Sequence, residues 1–152
     1  MMIKSMEVKM MDLISNHKKQ EILDYFKEYQ LVHLATIENE KPRVRPVTLS
    51  LWDGKFWVIT GADNAKIKQI QQNPNIEFCY LLKKGASYGY IRVSGHSKIT
   101  DDQEIKESFI HHYDYPIRFW EQNPEYTLLE FVPEEISYFK PEETSAQSYK
   151  WE

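Results

Sequence analysis

The dipeptide Asp53-Gly54 is the feature that most restricts how this chain folds. It stands between segment 43–51, where Val47, Leu49 and Leu51 alternate with other residues, and the apolar segment 55–60. An Asp-Gly pair in this setting is the strongest short-range signal for an antiparallel hairpin. Strands joined in this way disfavour a doubly wound parallel sheet, whose strands are connected by helices.

The rest of the chain predicts further short strands and small helices. Strands are expected at 31–37, 76–82 and 90–99, and a last strand or pair at 127–132 and 136–139. Helices are expected at about 16–29, after the capping candidates Asp63 and Asn64, and after Thr100, with one more helical turn or two at 116–122. The pattern predicts a mainly β fold, an antiparallel barrel of about six strands with helices over its openings.

Length and charge set outer limits on function. The 152 residues are the size of one domain, taken as 1–152 with a polar tail from about 142. A net charge of -4 supplies no broad attraction to nucleic acid or anionic lipid. No continuous apolar stretch suits a signal peptide or membrane helix, which predicts a cytoplasmic protein. Cys79 is alone, so no intrachain disulfide is expected.

Basic residues on either side of the hairpin predict an anion site. Arg43 and Arg45 lie two apart in a strand and share a face, and Lys66 falls in the first turn of a short helix. Cationic side chains, a Thr hydroxyl and N–H groups at a helix start together suit a phosphate. The plainer interpretation is that these three residues are solvent-facing. Pro46 favours a strand edge at this place, because proline removes one ladder hydrogen bond.

An ordered series of short motifs resembles the FMN-binding split-barrel proteins. Specifically, the chain is similar to small members of the pyridoxamine 5′-phosphate oxidase-like superfamily, which includes general stress proteins and nitroimidazole-resistance proteins. The resemblance covers about 31–100 and continues more weakly to 139. The motifs are Leu34-Ala35-Thr36, Pro42-x-x-Arg45-Pro46-Val47, Asp53-Gly54 with Phe56-Trp57, Thr60, Ala65-Lys66, Ile70-x-x-Asn73-Pro74 and Ile91-x-Val93-x-Gly95.

The resemblance implies a six-stranded antiparallel split β-barrel that forms a homodimer, with FMN in a cleft between the subunits. It also implies roles for individual residues. The strand that carries Arg45, Pro46, Val47 and Thr48 would run along the flavin, with the arginine reaching the phosphate, and Arg43 is its basic neighbour. Ile59 and Thr60 would lie beside the ring and ribityl chain, Ala65-Lys66 would hold the phosphate, and Tyr90 stands where true oxidases have a glutamine.

The resemblance implies a flavoprotein rather than a vitamin-synthesising enzyme. The ending 145–152 lacks the arginine- and histidine-containing motif that authentic pyridoxamine 5′-phosphate oxidases use for their substrate. An FMN-dependent oxidoreductase or flavin reductase of unknown substrate is expected. A reduced nicotinamide nucleotide would be the electron donor, and Tyr88, Tyr90 or Trp120 would line the ring. No catalytic acid, base or nucleophile and no metal site is identified.

Two other interpretations remain open at this stage. One is a stress or storage protein that binds flavin without turnover. The other keeps the fold but exchanges FMN for a deazaflavin or haem.

Overall fold

The computed structural model describes residues 10–112 and 125–152. The described chain contains three α-helices and seven strands. They are α1 (Asn16–Leu23), α2 (Ala65–Gln72), α3 (Gln103–His112), β1 (Gln30–Glu38), β2 (Lys41–Trp52), β3 (Lys55–Gly61), β4 (Asn75–Lys84), β5 (Ser87–Thr100), β6 (Tyr126–Phe139) and β7 (Gln147–Lys150). The expected mainly β fold is confirmed.

The strands form one antiparallel sheet that closes on itself. Their order is β3-β2-β1-β4-β5-β6-β7, and β3 also pairs with β6. Six strands therefore make a ring, and β7 pairs with the end of β6 that β3 leaves unpaired. Closure removes most of the free strand edges that an open sheet would expose. The arrangement agrees with the expected six-stranded split barrel.

The β2–β3 hairpin has the turn that its sequence predicts. Asp53 and Gly54 have φ angles of 53° and 70°, and Trp52 pairs with Lys55 across the turn. Positive φ at both central positions gives the turn a twist that matches the twist of the strands. This hairpin fixes the register of β2, which carries Arg43 and Arg45, against β3, which carries Thr60.

β2 and β3 part soon after the turn. They pair through only three residue pairs, from Ser50–Trp57 to Trp52–Lys55. β3 pairs with β6 along its other edge, from Phe56 to Gly61, whereas residues 41–49 of β2 pair with β1 alone among the described strands. A gap therefore opens in the wall of the barrel between Arg45 and Thr60. Pro46 lies on the open edge of β2, as its missing N–H predicts.

Aromatic side chains fill the barrel. Phe26, Phe56, Phe78 and Phe131 are at most 2% exposed and meet edge to face, with ring centroids 4.9–5.8 Å apart. Such pairs add about 0.5–1.5 kcal/mol each beyond the burial of their surface. A smaller cluster outside the barrel joins Trp57, Phe109 and Leu128, and it anchors α3.

The first helix is shorter than predicted. The α-helix ends at Leu23 and is followed by a 3-10 turn at Asp24–Phe26, so the expected span of about 16–29 is wrong at its end. The buried Tyr138 hydroxyl donates to Glu21 and lies 3.2 Å from the Tyr25 hydroxyl. Phe26, at the end of the 3-10 turn, is fully buried in the core.

The C-terminal segment is ordered rather than a simple polar tail. Residues 147–150 form β7 against β6, and Lys150 exchanges backbone hydrogen bonds with Asp12 and Ile14. Trp151 then packs against Phe56. Segment 127–139 lies within one strand, β6, rather than in two strands. The register between β5 and β6 shifts at Gly95 of β5. The expected helical turn at 116–122 lies outside the described residues, and no helix among those described is long and apolar enough to cross a membrane.

We predict that Gly95→Ala destabilises the fold by at least about 1–3 kcal/mol, the usual cost of overpacking. A Cβ at residue 95 would collide with the carbonyl oxygen of Val132 at the bulge, and that atom belongs to the backbone. Urea unfolding measures the change. Gly61→Ala is the matched control, because a Cβ there meets nothing within 4 Å. Equal stability of the two variants would contradict the prediction.

Candidate functional site

The candidate site lies at the gap between β2 and β3. Helix α2 begins four residues after β3 and covers this end of the barrel. Asn64 caps the helix by accepting a hydrogen bond from the Lys66 backbone N–H. Lys66, in the first turn of the helix, reaches Thr60 on β3, so the partial positive charge of the helix start lies near that strand.

Lys66 is the central cation of the site. Its side chain is 6% exposed, and Nζ donates to Thr60 Oγ1 at 2.6 Å. Among the described residues no carboxylate forms an ion pair with it. Burial, and then the neighbouring Arg45 charge, lower the pKa of Lys66 from 10.5 to about 8. A buried ammonium without a counter-ion is costly unless an anion joins it.

Arg45 supplies the second positive charge. Its guanidinium donates from Nη1 to the Leu34 carbonyl oxygen at 3.3 Å and from Nη2 to Gln69 Oε1 at 2.7 Å. Burial lowers the pKa of Arg45, and nearby Glu38 opposes the shift. Guanidinium remains protonated in proteins, so the charge persists. Both oxygens that accept its hydrogen bonds are neutral, so no carboxylate is hydrogen-bonded to the guanidinium among the described residues.

Gln69 joins the strands to the helix. Its Oε1 also accepts from Thr36 Oγ1 at 2.5 Å, and its Nε2 donates to Glu38 Oε2 at 2.6 Å. Glu38 in turn lies 3.8 Å from the half-exposed Arg43 guanidinium. With the Lys66 charge, which lies near Arg45 but outside this hydrogen-bond network, the site carries three cations and one carboxylate. This excess of two positive charges suits a dianion such as a phosphate monoester.

The structure brings together four of the residues expected from the sequence. Arg45, Thr60 and Lys66 meet at the gap, and Arg43 joins them through Glu38. Ala65 is the exposed first residue of α2, beside Lys66. The expectation that these residues form one basic site therefore has a definite geometry, although its ligand is not part of the structure.

The other expected residues lie elsewhere in the chain. Val47 is buried in the barrel core, and Ile59 packs with the cluster around Trp57 on the opposite face of β3 from Thr60. Pro46 and Thr48 face outward on β2. Tyr90 lies on β5, which β1 and β4 separate from β2. Its ring stacks on that of Phe139, with the ring centroids 5.6 Å apart. Within one chain these residues do not surround a common point.

Thr36, Glu38 and Gln69 were missed at the level of sequence. Two features of the sequence distinguish Thr36 and Gln69. Thr36 is the only polar side chain in the inward series Val32, Leu34 and Thr36, and Gln69 follows Lys66 by three residues, on the same face of a helix. Neither signal names a partner, because the contacts join α2 to β1, which is distant in sequence.

The structure gives little support to a metal centre. Among the described residues, no group of three or more His, Cys, Asp or Glu side chains is placed to hold a metal ion. Cys79 is partly buried on β4, and burial raises the pKa of its thiol. A thiol shifted in this direction is a poor nucleophile at neutral pH. The basic site is therefore the main candidate.

Comparison with known proteins gives the family. The family model described as pyridoxamine 5′-phosphate oxidase matches residues 19–140. The chain belongs to this family. Among its relatives, General stress protein 26 of Bacillus subtilis (strain 168) is 28% identical over 123 residues, which span 78% of this chain and 85% of the relative. The expected resemblance to a general stress protein is confirmed.

Solved structures of differently named proteins have the same fold as this chain. General Stress Protein 26 from Bacillus anthracis str. Sterne is 27% identical, with a TM-score of 0.67, over 85% of this chain and 98% of that one. A heme binding protein from Mycobacterium smegmatis has a TM-score of 0.70 at 10% identity, over 90% of this chain and 58% of that one. The second likeness concerns the fold of this pyridoxamine 5′-phosphate oxidase family member and not its ligand.

We predict that Lys66→Met stabilises the protein at pH 7 in buffer without phosphate or other multivalent anions. The folded-state pKa near 8 lies below the ordinary 10.5, so between these values the unfolded chain binds more protons and stability rises with pH. The wild type thus carries a stability cost at pH 7 that the variant lacks. A gain of about 1 kcal/mol would raise the unfolding midpoint by about 2–4 °C.

Thermal unfolding at pH 7 and at pH 9.5 measures this effect. Lys68→Met is the matched control, because Lys68 is exposed on the same helix. The pH-dependent rise should persist in the control and vanish in Lys66→Met. An unchanged rise in Lys66→Met would show that another group titrates.

Proposed function

We propose that this protein is an FMN-binding flavoprotein of the oxidoreductase or flavin-reductase type. The observation that carries the proposal is the buried Lys66 ammonium, which lies near Arg45 at the start of a helix with no carboxylate partner among the described residues. Such a group is stabilised by a bound dianion, and FMN ends in a phosphate. Membership of the pyridoxamine 5′-phosphate oxidase family supports flavin over other phosphate esters.

The open edge of β2 supports a place for the rest of the cofactor. Residues 41–49 have no strand on the side away from β1 among the described strands. Backbone N–H and C=O groups along such an edge are free to meet a planar polar ring. Arg45 in the same segment would hold the phosphate end. The flavin would then lie along β2, which is the arrangement that Arg45, Pro46, Val47 and Thr48 suggest.

An exposed apolar face supports a homodimer. Leu31, Val44, Leu81 and Tyr88 are 54–65% exposed and lie on the outward face of four adjacent strands, β2-β1-β4-β5. Cross-strand pairs of Ala35 with Val44 and of Leu31 with Thr48 continue this face. Apolar patches of this kind mark interaction surfaces. Two copies joined here would bring Tyr90 of one chain toward the partner's β2, so that the cleft is completed between subunits.

The chemistry of the proposed enzyme would come from the flavin, which accepts hydride from a reduced nicotinamide nucleotide and passes electrons to a small molecule. The chain's own residues would bind the phosphate at Arg45 and Lys66 and position the ring along β2. The alternative is a protein that binds flavin without turnover. Oxidation of reduced nicotinamide by the purified protein, followed at 340 nm with and without FMN, separates the two.

We predict that the wild type retains FMN through gel filtration and that Lys66→Ala weakens FMN binding by about 1–2 kcal/mol. The loss reflects a charge-assisted contact with the phosphate. Quenching of flavin fluorescence measures the affinity. Lys68→Ala, an exposed lysine on the same helix, should bind as the wild type does. Equal affinity of Lys66→Ala and the wild type would remove Lys66 from the site.

The absorbance spectrum of the purified protein tests the ligand class directly. Flavin bands that stay with the protein support the proposal. A Soret band instead would favour haem, as in the named heme binding protein with this fold. If no chromophore is retained after FMN addition, the proposal fails.

We predict that Leu31→Glu converts a dimer of about twice 18.2 kDa into a monomer. The substitution places a charge in the centre of the apolar face, where it would lose water on association. Light scattering after gel filtration measures the mass. Leu13→Glu is the control, because Leu13 is 55% exposed but lies beyond β7, at the far edge of the sheet. A wild-type monomer that still binds FMN would contradict the shared cleft.

A further inference from the structure

Gln69 is held in one orientation from both ends. Its carbonyl oxygen faces two donors, Thr36 Oγ1 and Arg45 Nη2, and its amide nitrogen faces the Glu38 carboxylate. In the opposite orientation the NH₂ group would meet the Arg45 donor and the carbonyl oxygen would meet the carboxylate. Both contacts would be repulsive. The amide is 6% exposed, so water cannot easily replace these partners.

This orientation matters for Arg45. Arginine has five N–H donors in a rigid plane, and fixing two of them fixes the direction of the others. The bond to the Leu34 carbonyl oxygen is 3.3 Å long, whereas the bond to Gln69 is 2.7 Å. The hydrogen bond to Gln69 is therefore the shorter and stronger of the two that hold the guanidinium. Because Gln69 is neutral, it orients the guanidinium without cancelling its charge.

We propose that Gln69 is a positioning residue of the anion site: Glu38 orients the Gln69 amide, and the amide aims the Arg45 guanidinium at the phosphate. The inference rests on the proposed function, since it takes the FMN phosphate as the anion. Gln69 acts through Arg45 rather than on the flavin. Its loss should therefore weaken the part of the affinity that depends on the phosphate and leave the part that depends on the ring.

A double-mutant cycle tests this role. The four proteins are the wild type, Gln69→Met, Arg45→Met and the double variant, and each is titrated with FMN and with riboflavin, which lacks the phosphate. Methionine approximates the volume of glutamine, so the helix should remain packed. We expect Gln69→Met to bind FMN about tenfold more weakly, the effect of losing one charge-assisted contact, and to bind riboflavin as the wild type does.

The cycle also separates positioning from a structural effect. If Gln69 acts through Arg45, the double variant should bind FMN no more weakly than Arg45→Met alone. Fully additive losses, or an equal loss for FMN and riboflavin, would overturn the role of Gln69. Gln71→Met is the matched control, because Gln71 is exposed on the same helix. Its affinities should equal those of the wild type.

Inorganic phosphate provides a probe that does not require flavin binding. The same four proteins and the Gln71→Met control are heated with and without phosphate, and the shift of the unfolding midpoint is recorded. We expect a shift in the wild type and in Gln71→Met, and a smaller shift in Gln69→Met. If the wild type binds no FMN but shows this pattern, the proposed function fails while the role of Gln69 stands. Equal phosphate shifts in the wild type and Gln69→Met would overturn the role of Gln69.

A second variant guards against loss of packing in Gln69→Met. Gln69→Glu keeps an oxygen acceptor opposite Arg45 but adds a negative charge to the site. We expect it to bind FMN more weakly than Gln69→Met, because the added charge opposes the phosphate and because its second oxygen would face the Glu38 carboxylate. Wild-type FMN affinity in Gln69→Glu would overturn the proposal.

Discussion

The early separation of β2 from β3 is the constraint on which the rest of the structure depends. The two strands share only three residue pairs, although β3 pairs with β6 along nearly its whole length. The pairing of β3 with β6 closes the ring of six strands, and the short contact between β2 and β3 leaves the edge of β2 unpaired beside Arg45. A fully paired barrel would have no such opening, because the backbone groups of residues 41–49 would be satisfied by a neighbouring strand. The candidate site thus depends on the short pairing between β2 and β3 within an otherwise closed ring.

Helix α2 makes use of this opening. The chain leaves β3 at Gly61, is capped at Asn64, and returns over the gap with Lys66 and Gln69 on the side that faces the strands. The helix has only eight residues and is held mainly by tertiary contacts rather than by its own propensity. Its inward face includes two polar side chains that are buried as fully as Ile67 and Ile70. Burial of polar groups in a short helix is costly unless they are paired or serve a ligand.

The arrangement of these buried charges is costly for stability. Thr60 alone accepts from the Lys66 ammonium among the described residues, and the neutral Gln69 holds Arg45 where a carboxylate would have paired with it. A chain selected for stability alone would neutralise these charges. Keeping them unpaired in a partly dry site strengthens their attraction for an anion. The proposed FMN site follows from this imbalance, and the exposed apolar face on β2-β1-β4-β5 extends it toward a second subunit.

The sequence by itself determined the elements that depend on local chemistry. Asp53-Gly54 specified the hairpin, the pair Asp63 and Asn64 the start of α2, and the ordered motifs the family, because turns, caps and alternating side chains act over a few residues. Arg43, Arg45, Thr60 and Lys66 were identified as a basic group for the same reason.

Only the tertiary structure decided which residues meet. It added Thr36, Glu38 and Gln69 to the site. It also placed Ile59 and Thr60 on opposite faces of β3, and Tyr90 on a distant strand. It also showed β7 in the segment expected to be a polar tail. These outcomes depend on pairing between β6 and β7 and on the docking of α2 against β1. Such contacts join segments far apart in the chain, where no local pattern specifies the partner.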